Sequence, residues 1–222
     1  MADSITPLEP EGFYHIYNHA VGNDLLFKSD RNYLFFLMKL QKYLNGYIMV
    51  YAYCLIPNHF HLLLKVKTEE EILAFHNPTR VQNLNPTRVQ NLNPTRVQNL
   101  NPTRVQNPRR VEKIPLILSQ RFSNMFNSYS QAYNKENNRK GSLFNNRFKR
   151  KVVEGDSYLI KLIQYIHCNP VNHGLVNTID EWPYSSYLNI LSKDETFLTR
   201  SKILELFDGI ENFVSSHNNL SS

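Results

Sequence analysis

The apolar positions in the first part of the chain switch between the period of a strand and the period of a helix. Gly12 to Asn18 alternates in the manner of a strand, whereas Arg31 to Leu44 repeats its apolar residues every three or four positions. Tyr47 to Ile56 and Pro57 to Val66 are rich in aromatic and branched residues, and Pro57-Asn58 supplies a turn between them. The helical repeat rests on Leu34, Leu37, Met38 and Leu40. The pattern therefore predicts a strand, a helix and a hairpin of two strands.

The second part of the chain repeats the helix-then-strand order. We expect a helix over Leu116 to Asn134, a strand over Leu143 to Val153, and a further helix from Asp156 to Cys168. That helix should stop at Asn169-Pro170, because a residue before proline avoids the helical conformation. The apolar side of the first of these helices comprises Leu118, Phe122, Met125, Phe126 and Tyr129. The order is that of the split βαβ plan. It predicts an α+β fold with a ferredoxin-like or RRM-like antiparallel sheet, helices on one face and an extra C-terminal helix.

A tandem octapeptide, Asn-Pro-Thr-Arg-Val-Gln-Asn-Leu, interrupts this order. Its copies begin at Asn77, Asn85, Asn93 and Asn101. Each copy holds a proline and at most two apolar residues, so we expect an extended, disordered basic insert without core residues. The predicted organisation is one domain in two parts, residues 1–76 and 111–190, separated by the insert at 77–110 and followed by a tail at 191–222 with one helix near Lys202 to Phe207. The insert acts either as a solvated linker or as a weak attractor of phosphates.

The charge of the chain is concentrated in that insert. The net charge is +6, but the insert holds six arginines and no acidic residue, and without them 19 basic residues stand against 19 acidic ones. Bulk charge therefore says little about the partner of the folded part. No apolar run approaches the length of a membrane span, and the first residues lack a basic-then-apolar signal. We expect a soluble cytoplasmic protein with no membrane partner. Cys54 and Cys168 lack ligand spacing and should be buried free thiols.

The strand after Pro57 carries the first chemical signal. Because side chains alternate faces, His59, His61 and Leu63 point to one side and Phe60, Leu62, Leu64 and Val66 to the other. The second set is typical of a core face. The first begins with two imidazoles that could bind one metal ion.

The last predicted helix supplies residues that complement this pair. Tyr165 and Asn169 lie about 40° apart on the shoulder of its apolar stripe. A phenol beside two histidines and an amide oxygen has the parts for nucleophilic attack on a phosphodiester. Without the histidines, Tyr165 would be an ordinary helix tyrosine. The stripe itself comprises Leu159, Leu162, Ile163 and Ile166.

Two further sets of residues suggest contact with nucleic acid. Aromatic side chains share strand faces and could stack on unpaired bases, or could equally be half-buried strand formers: Tyr47, Met49, Tyr51 and Tyr53 on the second strand, and Phe13, His15 and Tyr17 on the first. A basic run near the predicted last strand is a candidate DNA contact: Arg139, Lys140, Arg147, Lys149, Arg150 and Lys151. His167 and His173 are expected to be structural, and His15 has no assigned role.

Five segments of the sequence form a distinctive series of motifs. They are Gly12-Phe13-Tyr14-His15-Ile16-Tyr17-Asn18, Ile56-Pro57-Asn58-His59-Phe60-His61-Leu62-Leu63, Gly141-Ser142-Leu143-Phe144-Asn145-Asn146-Arg147-Phe148-Lys149, Tyr165-Ile166-His167-Cys168-Asn169-Pro170-Val171-Asn172-His173-Gly174-Leu175 and Glu181-Trp182-Pro183-Tyr184-Ser185-Ser186-Tyr187. In this order they resemble the REP-associated branch of the single-tyrosine transposases with a histidine-hydrophobe-histidine (HUH) motif, and the resemblance covers Glu11 to Asn189 without the repeat. After the first of them, His19-Ala20 replaces the Arg-Gly that the family often carries.

This resemblance implies an enzyme that cuts and rejoins single-stranded DNA near palindromic hairpins. His59, His61 and Asn169 would bind Mg²⁺ or Mn²⁺, and Tyr165 would form a covalent 5′-phosphotyrosine. The resemblance also allows a homodimer, and the sequence is compatible with a site built from one chain or shared between two. Two alternatives stay open: a non-cleaving protein, derived from such a transposase, that binds DNA or RNA hairpins, and a metal-dependent hydrolase without a covalent step.

Overall fold

The chain folds around a four-stranded antiparallel sheet. The computed structural model describes residues 6–76, 114–145 and 147–218. Its strands are β1 (Phe13–His19), β2 (Ile48–Ile56), β3 (His59–Val66) and β4 (Lys149–Val153), in the order β2-β3-β1-β4. All three neighbouring pairs are antiparallel. The predicted ferredoxin-like arrangement is confirmed.

Seven α-helices are present in the described ranges. They are α1 (Asp30–Leu44), α2 (Glu69–His76), α3 (Ile114–Glu136), α4 (Asp156–Asn172), α5 (Tyr187–Leu191), α6 (Arg200–Leu206) and α7 (Ile210–Asn218), with a short 3₁₀ turn at Ile179–Glu181. The octapeptide insert falls between α2 and α3, and the prediction made for it lies outside the described residues. Within those residues no helix is long and apolar enough to cross a membrane.

Helices α1 and α3 pack on one face of the sheet. The ring of Phe60 on β3 lies 5.0 Å from that of Phe36 on α1 and 5.6 Å from that of Phe126 on α3, measured between centroids. The predicted apolar side of α3 is buried along its length. Phe60 and its alternate neighbours Leu62, Leu64 and Val66 are fully buried, so this face of β3 is the core face predicted from the alternation.

Helix α4 packs on the opposite face, the one that carries the histidines. Its predicted apolar stripe, Leu159, Leu162, Ile163 and Ile166, is buried. The helix faces β2 and β3, so the sheet has a helical layer on each side. This arrangement brings the C-terminal helix, far along the chain, over the histidine strand.

The prediction of the buried side of α1 was partly wrong. Leu34 and Met38 are 62% and 50% exposed, whereas Tyr33 and Phe36 are buried. The reason is that aromatic packing fixes the rotation of the helix: Tyr33 stacks on Tyr184 at 3.7 Å, and Phe36 meets Phe60. Leu34 and Met38 are left on the surface as a result.

Two predicted boundaries were also wrong. Of the predicted strand Leu143 to Val153, only Lys149–Val153 forms a ladder, while Phe144 makes an isolated bridge to Ala20. Helix α4 runs through Pro170 to Asn172. Proline removes one N–H donor, but its fixed φ angle is compatible with a helix. Its carbonyl oxygen accepts a hydrogen bond from Leu175 N at 2.9 Å, in the turn that follows the helix.

The chain after α4 protects the outer edge of β2. Leu55 N donates to Tyr184 O at 3.0 Å, Ser186 N donates to Tyr53 O at 2.9 Å, and Thr199 N donates to Val50 O at 3.0 Å. The indole of Trp182 also donates to Leu55 O at 2.9 Å. These bonds satisfy the edge groups of the strand, so the chain after α4 completes the sheet.

Candidate functional site

The two histidines of β3 lie side by side on the face covered by α4. Their register places His61 opposite Tyr17 and His59 opposite His19 on β1. The two rings are 5.1 Å apart and nearly perpendicular, and both side chains are buried. A central strand thus holds both imidazoles in fixed positions, as the alternation predicted.

Both imidazoles are neutral at neutral pH. Burial, with the neighbouring histidines adding to it, lowers the pKa of His61 to about 2. Burial also lowers the pKa of His59 to about 4, helped by His19 and His173 and opposed by the amide of Asn169. Metal binding requires the unprotonated ring, so neither residue has to lose a proton first.

Tyr165 lies against this pair from α4. Its ring meets that of His61 edge to face, with centroids 5.5 Å apart, and that of His15 at 6.5 Å. The side chain is 45% exposed, so its hydroxyl-bearing ring stands at the surface beside buried histidines. The described chain brings tyrosine and histidines together within one subunit.

Asn169 lies one turn further along α4 and is buried. Its Oδ1 has no hydrogen-bond partner among the described residues. A buried amide oxygen without a partner is costly, and such a group calls for a specific explanation. A hydrogen bond from the protonated His59 ring to the Asn169 side chain raises the pKa of His59, so the amide lies beside that ring, and its Oδ1 is without a partner when the imidazole is neutral. Asn169 thus presents an unused oxygen ligand next to an imidazole.

The His, Cys, Asp and Glu side chains of the described residues do not form a metal centre by themselves. In the described ranges no group of three or more His, Cys, Asp or Glu side chains could hold a metal ion. A cation bound by His59 and His61 would therefore need a third ligand other than His, Cys, Asp or Glu. The amide oxygen of Asn169 could serve as that ligand.

Three further histidines border the site, and none of them was predicted to have a role there. His15 Nε2 lies 2.9 Å from His61 Nδ1. The ring of His19 is 4.5 Å from that of His59, and the exposed His173, expected to be structural, is 4.9 Å from it. The alternation of β1 could have indicated His15 and His19, because both share the face of Tyr17. His173 could not be found this way, because the helix was expected to end before it.

Of the two interpretations of the β2 aromatic residues, the structure supports strand formers and not a stacking platform. Tyr47, Tyr51 and Tyr53 are all less than 5% exposed. A register shift between Val50 and Ala52 interrupts the alternation, and the C-terminal segment covers Tyr53, whose hydroxyl accepts from Asn189 Nδ2 at 2.7 Å. On β1, Phe13 and Tyr17 remain half-buried. The interpretation as strand formers is correct for β2.

The predicted basic run does not form one surface. Arg139 pairs with Asp24, and Arg150 donates to Thr6 O and Ser119 Oγ at 3.2 Å each on the α3 side of the sheet. Lys149 and Lys151 pair with Tyr17 and His15, so they share the histidine face. Lys140 and Arg147 lie exposed in the segment before β4. Only the two lysines stand next to the candidate site.

Comparison with known proteins gives two matches. A Haemophilus influenzae protein named as a REP-associated tyrosine transposase is 26% identical over 136 residues, which are 61% of this chain and 57% of that protein. This chain therefore spans less than two thirds of the length of that relative. A solved structure of a REP-associated tyrosine transposase bound to a REP hairpin superposes with a TM-score of 0.52 at 13% identity, over 87% of each chain. The resemblance to the REP-associated tyrosine transposases is confirmed. No protein-family model matches the chain.

The resemblance to REP-associated tyrosine transposases and the site geometry concern the same part of the chain. Four of the five matching segments fall on β1, β3, α4 and the chain along the edge of β2, and the fifth precedes β4. Two of them, on β3 and α4, hold His59, His61, Tyr165 and Asn169, which are neighbours in space. The superposition supports the fold, whereas the geometry of the site comes from this chain's own residues.

Proposed function

We propose that this chain cuts and rejoins single-stranded DNA with Tyr165 as the nucleophile. The observation that carries the proposal is the meeting of three groups within one subunit: the exposed Tyr165 ring at 5.5 Å from His61, the neutral His59 and His61 pair, and the unpartnered Asn169 oxygen. Together they are the parts of a metal-assisted phosphoryl transfer site.

The cation we propose is Mg²⁺ or Mn²⁺; imidazole ligands alone would suit zinc equally well, and the choice rests on the family resemblance. Neutral imidazoles from His59 and His61 and the amide oxygen of Asn169 would hold the cation, and the remaining positions would be left for phosphate and water. When bound, the cation polarises the scissile phosphate and neutralises its charge. The orphaned Asn169 oxygen supports this fit, because a cation would satisfy it.

The covalent step exchanges one phosphodiester for another. The hydroxyl oxygen of Tyr165 forms a bond to phosphorus as the bond from phosphorus to the 3′ oxygen breaks. The phenol proton passes to solvent, and the departing 3′ oxygen becomes a hydroxyl. The 5′ end is then held as a phosphotyrosine. Attack of a 3′-hydroxyl on this phosphorus rejoins the strands and releases Tyr165, with no need for an external energy source.

The nucleic-acid partner we infer is single-stranded DNA next to a hairpin. The solved relative is bound to a REP hairpin, and the relative matched by sequence carries the same family name. In this chain Lys149 and Lys151 lie on the face of the site, with the Lys151 ammonium 5.9 Å above the Tyr17 ring. Lysines beside a half-buried aromatic ring are suited to a strand with unpaired bases.

A denaturing gel tests the nucleophile. The protein is incubated with hairpin DNA bearing a labelled single-stranded flank and Mn²⁺. We expect a covalent adduct that Tyr165→Phe abolishes. Tyr158→Phe is the matched control, because Tyr158 lies on the same helix and is 47% exposed against 45% for Tyr165. The control should form the adduct at the wild-type level.

The same gel distinguishes the two alternatives. Cleavage that survives in Tyr165→Phe would replace the proposal with a metal-dependent hydrolase. Tight hairpin binding by the wild type without any cleavage would replace it with a protein that only binds.

A further inference from the structure

His15 on β1 makes a direct contact with one of the two histidines of β3. Its Nε2 lies 2.9 Å from His61 Nδ1. The ring centroids are 5.0 Å apart and the planes are inclined by 29°. Because the nitrogens are much closer than the centroids, the rings meet edge to edge, which is the geometry of a hydrogen bond between imidazoles. His15 is 7% exposed, so solvent scarcely competes for this bond.

One proton is shared in this contact, and two assignments are possible. If His15 Nε2 carries it, neutral His61 accepts at Nδ1 and must hold its own proton on Nε2, where it blocks a ligand. If His61 Nδ1 carries it, His15 accepts and His61 Nε2 keeps a free lone pair. Since Nδ1 is occupied by His15, only the second assignment leaves His61 able to bind a cation.

The neighbouring histidine has the same arrangement with a simpler partner. His59 Nδ1 lies 2.9 Å from Asn58 Oδ1. A carbonyl oxygen only accepts, so His59 donates from Nδ1 and its Nε2 remains free. Both β3 imidazoles thus have Nδ1 occupied by a neighbour, and both can present Nε2 to the same side.

We infer that His15 is a positioning residue that accepts the Nδ1 proton of His61 and so fixes both the ring orientation and the tautomer needed to bind a divalent cation. The inference rests on the metal site of the proposed function. It assigns His15 no contact with the cation or the DNA. Groups that hold the far nitrogen of a metal-binding histidine typically affect metal affinity by about 10- to 100-fold.

Mn²⁺ binding to the full chain without DNA tests this inference. Titration calorimetry is compared for the wild type, His15→Phe, His15→Gln and His76→Phe. His15→Phe keeps a ring but cannot accept, and we expect about 10- to 100-fold weaker Mn²⁺ binding. His15→Gln restores an acceptor and should recover most of the affinity. His76→Phe is the matched control, since it makes the same change at a histidine of α2 whose Nδ1 lies 2.9 Å from the Tyr47 hydroxyl, and it should leave affinity unchanged.

Nitrogen-15 NMR of the metal-free protein supplies the second readout. The two nitrogens of His61 should report a proton on Nδ1 in the wild type and in His15→Gln, and a shift of that proton toward Nε2 in His15→Phe. A merely structural role for His15 would alter stability without moving the proton.

The outcomes separate this inference from the proposed function. The role of His15 is overturned if folded His15→Phe binds Mn²⁺ as tightly as the wild type, or if His61 of the wild type carries its proton on Nε2. Neither result affects the covalent adduct test of the proposed function. An adduct lost in Tyr165→Phe together with weakened Mn²⁺ binding in His15→Phe supports both. A wild-type chain that binds no Mn²⁺ overturns both.

Discussion

His167 Nδ1 and His217 Nε2 lie 2.9 Å apart in the interior and join helix α4 to helix α7. His217 Nδ1 donates to Phe213 O at 2.7 Å, so its Nε2 must accept the proton of His167 Nδ1. His167 Nε2 in turn accepts from the hydroxyl of Ser186 at 2.7 Å. All three side chains are fully buried. This chain of bonds requires both rings to be neutral.

Acid should therefore weaken the attachment of α7. Burial lowers the pKa of His217 to about 4 and holds that of His167 well below its ordinary value. The unfolded chain binds protons near pH 6.5 while the folded chain does not, so stability is lost as the pH falls from about 6.5 toward 4. His217→Gln removes one titrating group, and the drop in unfolding free energy between pH 7 and pH 5 should shrink by about 2 kcal/mol. Denaturant unfolding at both pH values measures it, and an unchanged drop would contradict the assignment.

Ser186 should be among the most sensitive serines for stability. Its Oγ accepts from Tyr53 N at 2.9 Å and donates to His167, so it ties β2 to α4. Ser186→Ala leaves both partners buried and unpaired, and we expect a loss of about 3 kcal/mol in unfolding free energy. Ser123→Ala is the control, because that exposed serine bonds only to Ser119 O in its own helix and should change stability by less than about 0.5 kcal/mol. Equal effects of the two changes would contradict this role for Ser186.

The elements of the fold and the central pair of the site could be predicted from periodicity. Alternation on β3 separated His59 and His61 from Phe60, and the helical period placed Tyr165 beside the buried stripe of α4. Both inferences depend only on the periodicity of side chains along a strand or a helix, which can be read from the order of residues. The sheet order followed because a split βαβ unit has few compact arrangements.

The remainder depends on contacts between distant segments. The buried side of α1 is set by Tyr184, and the burial of Tyr53 is set by Asn189 and the chain around it. The continuation of α4 past Pro170, which brings His173 to His59, rests on bonds made after the proline. No local pattern specifies such packing, which is why the sequence left two interpretations of the β2 aromatic residues open and the end of α4 was predicted wrongly.

Asn169 should lower the stability of the metal-free protein and strengthen metal binding. Its buried Oδ1 has no partner in the described chain, so replacing it with an apolar side chain of similar size removes a costly group. We expect Asn169→Leu to raise the unfolding free energy by about 1 kcal/mol in the absence of divalent cations, and to weaken Mn²⁺ binding. Asn169→Asp keeps an oxygen ligand and should retain binding. Denaturant unfolding and calorimetry provide the two measurements, and a Leu variant that is less stable yet binds Mn²⁺ normally would refute the ligand role.

The two lysines of β4 should contribute salt-dependent affinity for hairpin DNA. Lys149 and Lys151 share the face of the histidines, whereas Arg150 between them bonds to Ser119 on the other side. If each lysine contacts a phosphate, Lys149→Ala with Lys151→Ala lowers the slope of log affinity against log salt by about 2. Lys39→Ala with Lys42→Ala on α1 makes the same change of charge in the helical layer on the opposite face and should leave the slope unaltered. Fluorescence anisotropy with a labelled hairpin over a salt series gives both slopes, and a β4 double variant with the wild-type slope would exclude the histidine face as the path of the DNA backbone.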